Sequence, residues 1–192
     1  MTEVWNIESC RRYCLMEDYV VFKSNNQRPA VADITPDGRK VAVVGKDINQ
    51  VHIYDIEQNV IIQILDDTPK EARWASFSPD LSYFAALSIY AQCFLWNLET
   101  GERHLADRFN LEHSGYSSVS FHPNSKYMAS ASLVGFVVIV RLNDGERVVM
   151  QKVHEGRVSD LALTPDGKKL ISGGEDGLFS ILESNDILYH EG

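Results

Sequence analysis

Short apolar runs alternate with polar turns along most of the chain, and the turns are rich in Pro, Asp and Gly. Four of these turns contain a proline in the same surroundings: Pro36, Pro79, Pro123 and Pro165. The prolines are 43, 44 and 42 residues apart, with one apolar run before each turn and another after it, as in DLAL (160–163) and KLIS (169–172). Period-two alternation around such turns is typical of β-hairpins. The pattern predicts two strands, a and b, in each of four repeats.

Two more apolar runs complete each repeat. The third run reads VHIYDI (51–56), CFLWNL (93–98), VVIVRL (137–142) and LFSILE (178–183), and a fourth follows after a polar turn, as in LNDGERVVM (142–150). Four short antiparallel strands every 40 to 45 residues match one blade of a β-propeller. A sandwich would not keep so strict a period, and helical repeats would need long 3.6-periodic segments, which do not occur. The predicted fold is an all-β propeller with four four-stranded antiparallel blades.

The whole chain, 1–192, is expected to form one propeller region. We expect blades at 28–66, 70–108, 112–151 and 154–190, preceded in 1–16 by two leading strands that correspond to strands c and d of an earlier blade. Propellers close with roughly 4 to 8 blades. We therefore expect an incomplete ring, which is either an arc of a longer propeller or is completed by a second copy or a partner; a closed four-bladed ring is the alternative. Open ends expose apolar flanks, which predicts self-association.

The last repeat, HEGRVSDLALTPDGKKLISGGEDGLFSILE (154–183), resembles the WD repeat over its whole length. The resemblance implies a buried hydrogen-bonded network of a His, a Ser or Thr, an Asp and a Trp within each blade. Three members are matched in this repeat: His154, Ser172 and Asp176. Leu182 occupies its Trp position, and Trp96 keeps the Trp in the second repeat.

The other repeats have diverged from this pattern. In the second repeat Lys70, Ala86 and Tyr90 stand at the other network positions. In the third repeat Ser130 is in place, whereas His113 lies one residue out of register and the Asp and Trp positions are valines, Val134 and Val140. Apolar residues that replace a satisfied polar pair can be nearly neutral in stability, so the fold is expected to survive these losses. The first repeat is also similar to those of YVTN and lactonase-like propellers.

The net charge limits the expected partners, and the cysteine content indicates the redox state of the thiols. Lys and Arg number 18 against 27 Asp and Glu, a net charge of −9 that repels a phosphate backbone, so nucleic acid is not an expected partner. Cys10, Cys14 and Cys93 are odd in number and lack paired CxxC spacing, which indicates reduced thiols rather than disulfides or a zinc site. The sequence has neither a long apolar window nor a signal-like start. We expect a cytoplasmic or nuclear protein away from membranes.

Catalysis is not expected. His154, Ser172 and Asp176 are also the residue types of a hydrolase triad, but the repeat explains them better as structural residues. The histidines lack metal-ligand spacing, and the Gly-containing turns lack the P-loop and dinucleotide patterns, so no metal and no cofactor are predicted. A propeller enzyme of the lactonase or quinoprotein type is the alternative class. Such a site needs ligands from successive blades, and no His, Asp or Glu recurs at one blade position.

Recognition in a propeller is expected at the loops. In the WD family the binding face is lined by residues just before strand a and by the b–c turns, which here are Arg28, Glu71, Arg73, Gly115 and Arg157, with Lys46, Asp47, Tyr90 and Glu175. The three arginines could hold an acidic or phosphorylated peptide, or they could be solvated residues paired with carboxylates. The predicted function is a non-catalytic protein-interaction scaffold or adaptor, with an architectural subunit of a large complex as the alternative.

Overall fold

The computed structural model describes residues 3–6, 11–15, 29–45, 50–68, 72–88, 90, 92–104 and 115–183; for 3–6, 11–15, 29–31, 45, 73 and 104 it describes the backbone alone. Every regular element in these residues is a β-strand, as predicted. The strands are β1 (Glu3–Asn6), β2 (Arg11–Leu15), β3 (Pro29–Ile34), β4 (Lys40–Gly45), β5 (Gln50–Asp55), β6 (Val60–Asp66), β7 (Ala72–Phe77), β8 (Tyr83–Ser88), β9 (Cys93–Asn97), β10 (Arg103–His104), β11 (Tyr116–Phe121), β12 (Tyr127–Ser132), β13 (Phe136–Arg141), β14 (Arg147–Lys152), β15 (Val158–Leu163), β16 (Lys169–Gly174) and β17 (Phe179–Glu183).

The strands pair in chain order to form separate antiparallel sheets. Blade 1 is β3-β4-β5-β6, blade 2 is β7-β8-β9-β10, blade 3 is β11-β12-β13-β14, and blade 4 is β15-β16-β17. The predicted leading strands are β1 and β2, which pair with each other. The fourth strand expected in blade 4 would begin at about 183, beyond which the chain lies outside the described residues.

The blades stack as an arc. The first strands of successive blades are neighbours, since β3 contacts β7, β7 contacts β11, and β11 contacts β15. A separate apolar core fills each junction, and each core takes its side chains from the two facing sheets. Between blades 3 and 4, for example, Ala129 and Ile139 pack with Leu161 and Leu170. Stability in such a repeat protein comes from junctions between neighbours.

Each blade therefore has two different faces, because side chains alternate along a strand. We call the face toward the next blade the following face. In blades 1 to 3 it is formed by two cross-strand pairs between strands b and c. These pairs are Ala42 with Ile53 and Val44 with Val51, Ala85 with Leu95 and Leu87 with Cys93, and Ala129 with Ile139 and Ala131 with Val137. All of these side chains are buried.

The a–b turns show why the Pro-Asp-Gly pattern recurs. In blade 1 the Thr35 hydroxyl donates to the Asp37 carboxylate at 2.5 Å, and it accepts the Lys40 N–H at 3.0 Å. The residue after the Asp takes a left-handed conformation, with a φ of +69° at Gly38. Blade 2 places Leu81 at this position, with a φ of +62°. A left-handed leucine costs about 1–2 kcal/mol, and its side chain packs against the core between blades 1 and 2.

Candidate functional site

A buried polar network ties the start of blade 4 to its b–c turn. His154 Nε2 lies 3.0 Å from Ser172 Oγ, and His154 Nδ1 lies 3.1 Å from both carboxylate oxygens of Asp176. His154 and Ser172 are buried. Gly174 makes the approach possible, because a Cβ there would lie 2.4 Å from His154 Nδ1. The structure thus brings together three of the predicted network residues.

The hydrogen bonds fix the roles of these groups. Burial opposes ionisation of Asp176, but the backbone N–H groups of Leu178 and Glu155 and the His154 side chain donate to its carboxylate and hold its pKa below the usual value. An ionised carboxylate can only accept, so His154 Nδ1 donates to it. In the neutral ring, Nε2 then accepts the Ser172 hydroxyl proton. Every polar atom of the His154 ring is paired.

The same order of contacts, Ser to His to Asp, occurs in hydrolase triads. A nucleophile must reach its substrate, however, and the Ser172 side chain is turned toward blade 3, on the face of its sheet that carries the core residues Leu161, Leu170 and Leu182. Ser172 is 4% exposed. This burial supports the structural role of the network.

The described residues of blades 2 and 3 do not form this network. Trp96 is 1% exposed and lies in blade 2, where its indole Nε1 donates to the Asp66 carbonyl of blade 1 at 3.1 Å. Ala86, at the serine position, has no hydroxyl to offer. In blade 3 Ser130 is fully buried, and its Oγ has no hydrogen-bond partner. The expected neighbours Lys70 and His113 lie outside the described residues.

The predicted arginine rim is only partly described. Arg157 and Glu175 adjoin, since the Glu175 N–H donates to the Arg157 carbonyl at 2.9 Å and the two side chains approach to 4.0 Å. Tyr90 is exposed, and Gly115 accepts a backbone hydrogen bond. Arg73 lies in β7 with its side chain undescribed, and the remaining candidates lie outside the described residues: Arg28, Lys46, Asp47 and Glu71.

The following face of blade 4 is apolar and exposed. Ile171 pairs with Ile181, and Gly173 pairs with Phe179, at the positions that are buried in every preceding blade. Here Ile171 is 40%, Ile181 46% and Phe179 74% exposed. A Cβ on Gly173 would meet nothing within 4 Å. The sequence signalled an apolar terminal flank, and the structure identifies the side chains that form it.

The described residues contain no group of three or more His, Cys, Asp or Glu side chains that could hold a metal ion. They also include no helix with the length and hydropathy that a membrane crossing requires.

The sequence model of a protein family described as "WD domain, G-beta repeat" matches residues 108–133 and 145–181. The second match begins near β14, the outer strand of blade 3, and runs through the first two strands of blade 4 into β17. The repeat unit in the sequence is thus displaced by one strand from the blade. This second unit supplies the outer strand of blade 3 and the inner strands of blade 4.

Three known proteins are similar to the chain. Actin-interacting protein 1-2 of Arabidopsis thaliana is 26% identical over 153 residues, or 77% of this chain and 24% of the relative. WD repeat-containing protein SL1-17 of Schistosoma mansoni is 29% identical over 110 residues, or 56% of this chain and 36% of the relative. Actin-interacting protein 1 of Drosophila melanogaster is 25% identical over 145 residues, or 74% and 24%.

The chain spans about a quarter to a third of the length of these relatives. Its repeat period, its stacked antiparallel sheets of three or four strands and the matched repeats agree with one another. Residues 108–133 and 145–181 thus match the WD repeat, and the chain is similar to WD-repeat proteins.

Proposed function

We propose that the chain is a non-catalytic protein-interaction scaffold and that the following face of blade 4 is one of its contact surfaces. The observation that carries the proposal is the exposure of Ile171, Phe179 and Ile181, whose equivalents in the other three blades are buried. Full burial of one such side chain contributes about 1.5–3 kcal/mol. A sheet that covers this face therefore gains a substantial binding free energy.

The partner for this face is an apolar sheet. Head-to-tail pairing of two copies would need the opposite face of blade 1 to be open. That face carries Val41, Val43, His52 and Tyr54, and all four are buried in this chain. This burial favours a different sheet as the partner, either the next blade of a longer chain or a sheet of another protein; when neither is present, the exposed blade 4 faces of two copies are expected to pair with each other. It also supports the architectural alternative, because a face of this kind is suited to permanent contact within an assembly.

The double variant Ile171→Lys with Ile181→Lys is expected to remove the surface while leaving the fold in place, because both side chains point away from the core of blade 4. The wild-type chain is expected to self-associate and to enhance the fluorescence of the dye ANS, and the variant to reduce both several-fold. Light scattering after size-exclusion chromatography and ANS titration measure this. Gln58→Lys with Gln151→Lys, at exposed positions elsewhere, is the matched control. A monomeric wild type without ANS enhancement would contradict the proposal.

A more specific proposal is that the arginine rim binds an acidic or phosphorylated peptide. The proposal is supported by the guanidinium of Arg157, whose side chain is 40% exposed and lies 4.0 Å from the Glu175 carboxylate. The triple variant Arg28→Glu, Arg73→Glu and Arg157→Glu is expected to weaken binding to an array of phosphoserine peptides at least tenfold, because charge-assisted contacts are lost. Arg147→Glu, on the outer strand of blade 3, is the control. Equal binding by the triple variant and the wild type would contradict the proposal that the rim binds acidic or phosphorylated peptides.

Actin is included among the proposed partners because two of the relatives are named for an interaction with it.

A cytoplasmic or nuclear location is also part of the proposal. It agrees with the free, buried thiol of Cys93.

A further inference from the structure

The outer strand of blade 1, β6, is an exposed apolar edge. It ends the sheet order β3-β4-β5-β6, and no strand of the described chain pairs with its outer side. Val60, Ile61, Ile62 and Ile64 are each 42–49% exposed. The stretch 59–65, NVIIQIL, has no charged residue and no proline. Its outward backbone groups and its aliphatic side chains are therefore both available to a partner.

The outer strands of the neighbouring blades are protected from such pairing. In blade 3, β14 begins with Arg147 and ends with Lys152, and in blade 2, β10 is two residues long and consists of Arg103 and His104. Charge and short length are the usual devices that keep a sheet edge from pairing with another chain. In blade 1, β6 is seven residues long and its only charged residue is Asp66 at its end, so it is less protected than β10 and β14.

Acidic residues stand at both ends of this edge. At one end, Asp55 of β5 pairs with Val60, the first residue of β6, and Glu57 lies in the turn between these strands. At the other end, Asp66 is the last residue of β6 and is followed by Asp67. The Asp67 carboxylate is 72% exposed and has Arg103 Nη1 at 3.8 Å. On a chain with a net charge of −9, the ends of β6 favour a segment with basic residues at its own ends.

A cavity of about 430 Å³ adjoins β6 at the junction of blades 1 and 2. Ile62 and Gln63 form one wall, and blade 2 contributes Phe77, Tyr83 and Leu98. Gln63 Nε2 donates to the Leu98 carbonyl at 3.0 Å, which fixes β6 against blade 2. The lining beside Ile62 offers apolar contacts to an aliphatic or aromatic side chain, and Thr35, Lys40, Asn97 and Glu99 make the rest of the lining polar.

We propose that β6 is a docking edge for an extended segment of a partner protein, with apolar side chains at alternate positions and basic residues at its ends. The segment adds a fifth strand to blade 1 through main-chain hydrogen bonds, which is β-augmentation. One of its large apolar side chains enters the cavity beside Ile62. This surface lies on the outer strand of blade 1, whereas the surface of the proposed function lies on blade 4.

The probe is a fluorescein-labelled nonapeptide, Lys-Lys-Val-Thr-Leu-Thr-Val-Lys-Lys, measured by fluorescence anisotropy. We expect binding in the micromolar range and slower hydrogen exchange of the β6 amides in the complex. Ile64→Lys is expected to weaken binding at least tenfold. Met150→Lys is the matched control, since Met150 pairs with Val138 in blade 3 as Ile64 pairs with His52 in blade 1, and both side chains are exposed. It is expected to change binding less than twofold.

Two altered peptides test the same proposal without changing the protein. Proline in place of the central leucine prevents strand pairing, and Glu in place of the four lysines reverses the charge; each is expected to weaken binding at least tenfold. The proposal is overturned if the lysine peptide does not bind, if Ile64→Lys and Met150→Lys weaken it equally, or if β6 gains no protection. Dimers that Ile64→Lys abolishes, without any peptide binding, would identify a second copy as the occupant and would also overturn it.

Discussion

Gly135→Ala is expected to lower the free energy of unfolding by about 2–5 kcal/mol, through backbone strain and overpacking together. Gly135 lies in the b–c turn of blade 3 with a φ of +92°, where an L side chain is strained. A Cβ there would lie 2.0 Å from the His154 carbonyl oxygen and 2.8 Å from that of Gly156. Both obstacles are backbone atoms, so no side chain can move aside to relieve the clash.

The same contact holds two blades together. The Gly135 carbonyl accepts the Val153 N–H at 2.8 Å and the His154 N–H at 3.2 Å, so a displaced turn also disturbs the start of blade 4. Urea unfolding followed by circular dichroism measures the loss. Gly145→Ala is the control, with a φ of +68° and open space around the added methyl group, and it should cost about 1–2 kcal/mol. Equal losses for the two variants would show that the close approach to blade 4 is unimportant.

Ser172→Ala and Ser130→Ala are expected to have opposite effects, although the two serines occupy the same position of adjacent repeats. Ser172→Ala removes the hydroxyl that pairs with His154 and leaves a buried ring nitrogen unpaired, at a cost of about 1–3 kcal/mol. Ser130→Ala removes a buried hydroxyl that has no partner. This change should leave stability unchanged or raise it by about 1 kcal/mol.

Chemical unfolding of both variants beside the wild type measures the difference. Blade 2 supports the expectation for Ser130, because Ala86 already stands at this position and is fully buried. A double variant Ser172→Ala with His154→Phe should lose less stability than the two single losses combined, since neither partner is then left unpaired. A Ser130→Ala variant that is destabilised as much as Ser172→Ala would contradict this account of the repeats.

The blades could be predicted from the sequence because their determinants are local. A Pro-Asp-Gly turn and the alternating runs beside it specify a hairpin within about 15 residues, and the spacing of such hairpins specifies a propeller. The network of His154, Ser172 and Asp176 was likewise recognisable, since its members lie within one repeat. The blades and the two leading strands follow from the same signals, and the described chain contains three four-stranded blades, three strands of blade 4 and the leading pair.

Features that depend on neighbouring blades could not be predicted. Trp96 matches the Trp of the WD pattern, but its partner is the Asp66 carbonyl of blade 1, 30 residues away. The run NVIIQIL (59–65) has the alternation of any outer strand, and nothing in it shows that its aliphatic side chains stay exposed. Leu81 gave no sign of a left-handed conformation, because the turn around it imposes that φ on whichever residue stands there.

Blades that form in chain order also have a consequence for protein synthesis. At about 5–20 residues per second, a unit of 43 residues takes roughly 2–9 s to emerge from a ribosome. During that interval the newest blade of the nascent chain presents its following face to solvent, as blade 4 does here. Each newly formed blade is therefore an apolar sheet that is exposed to chaperones for a few seconds, and any sheet that covers it competes with aggregation from the moment of translation.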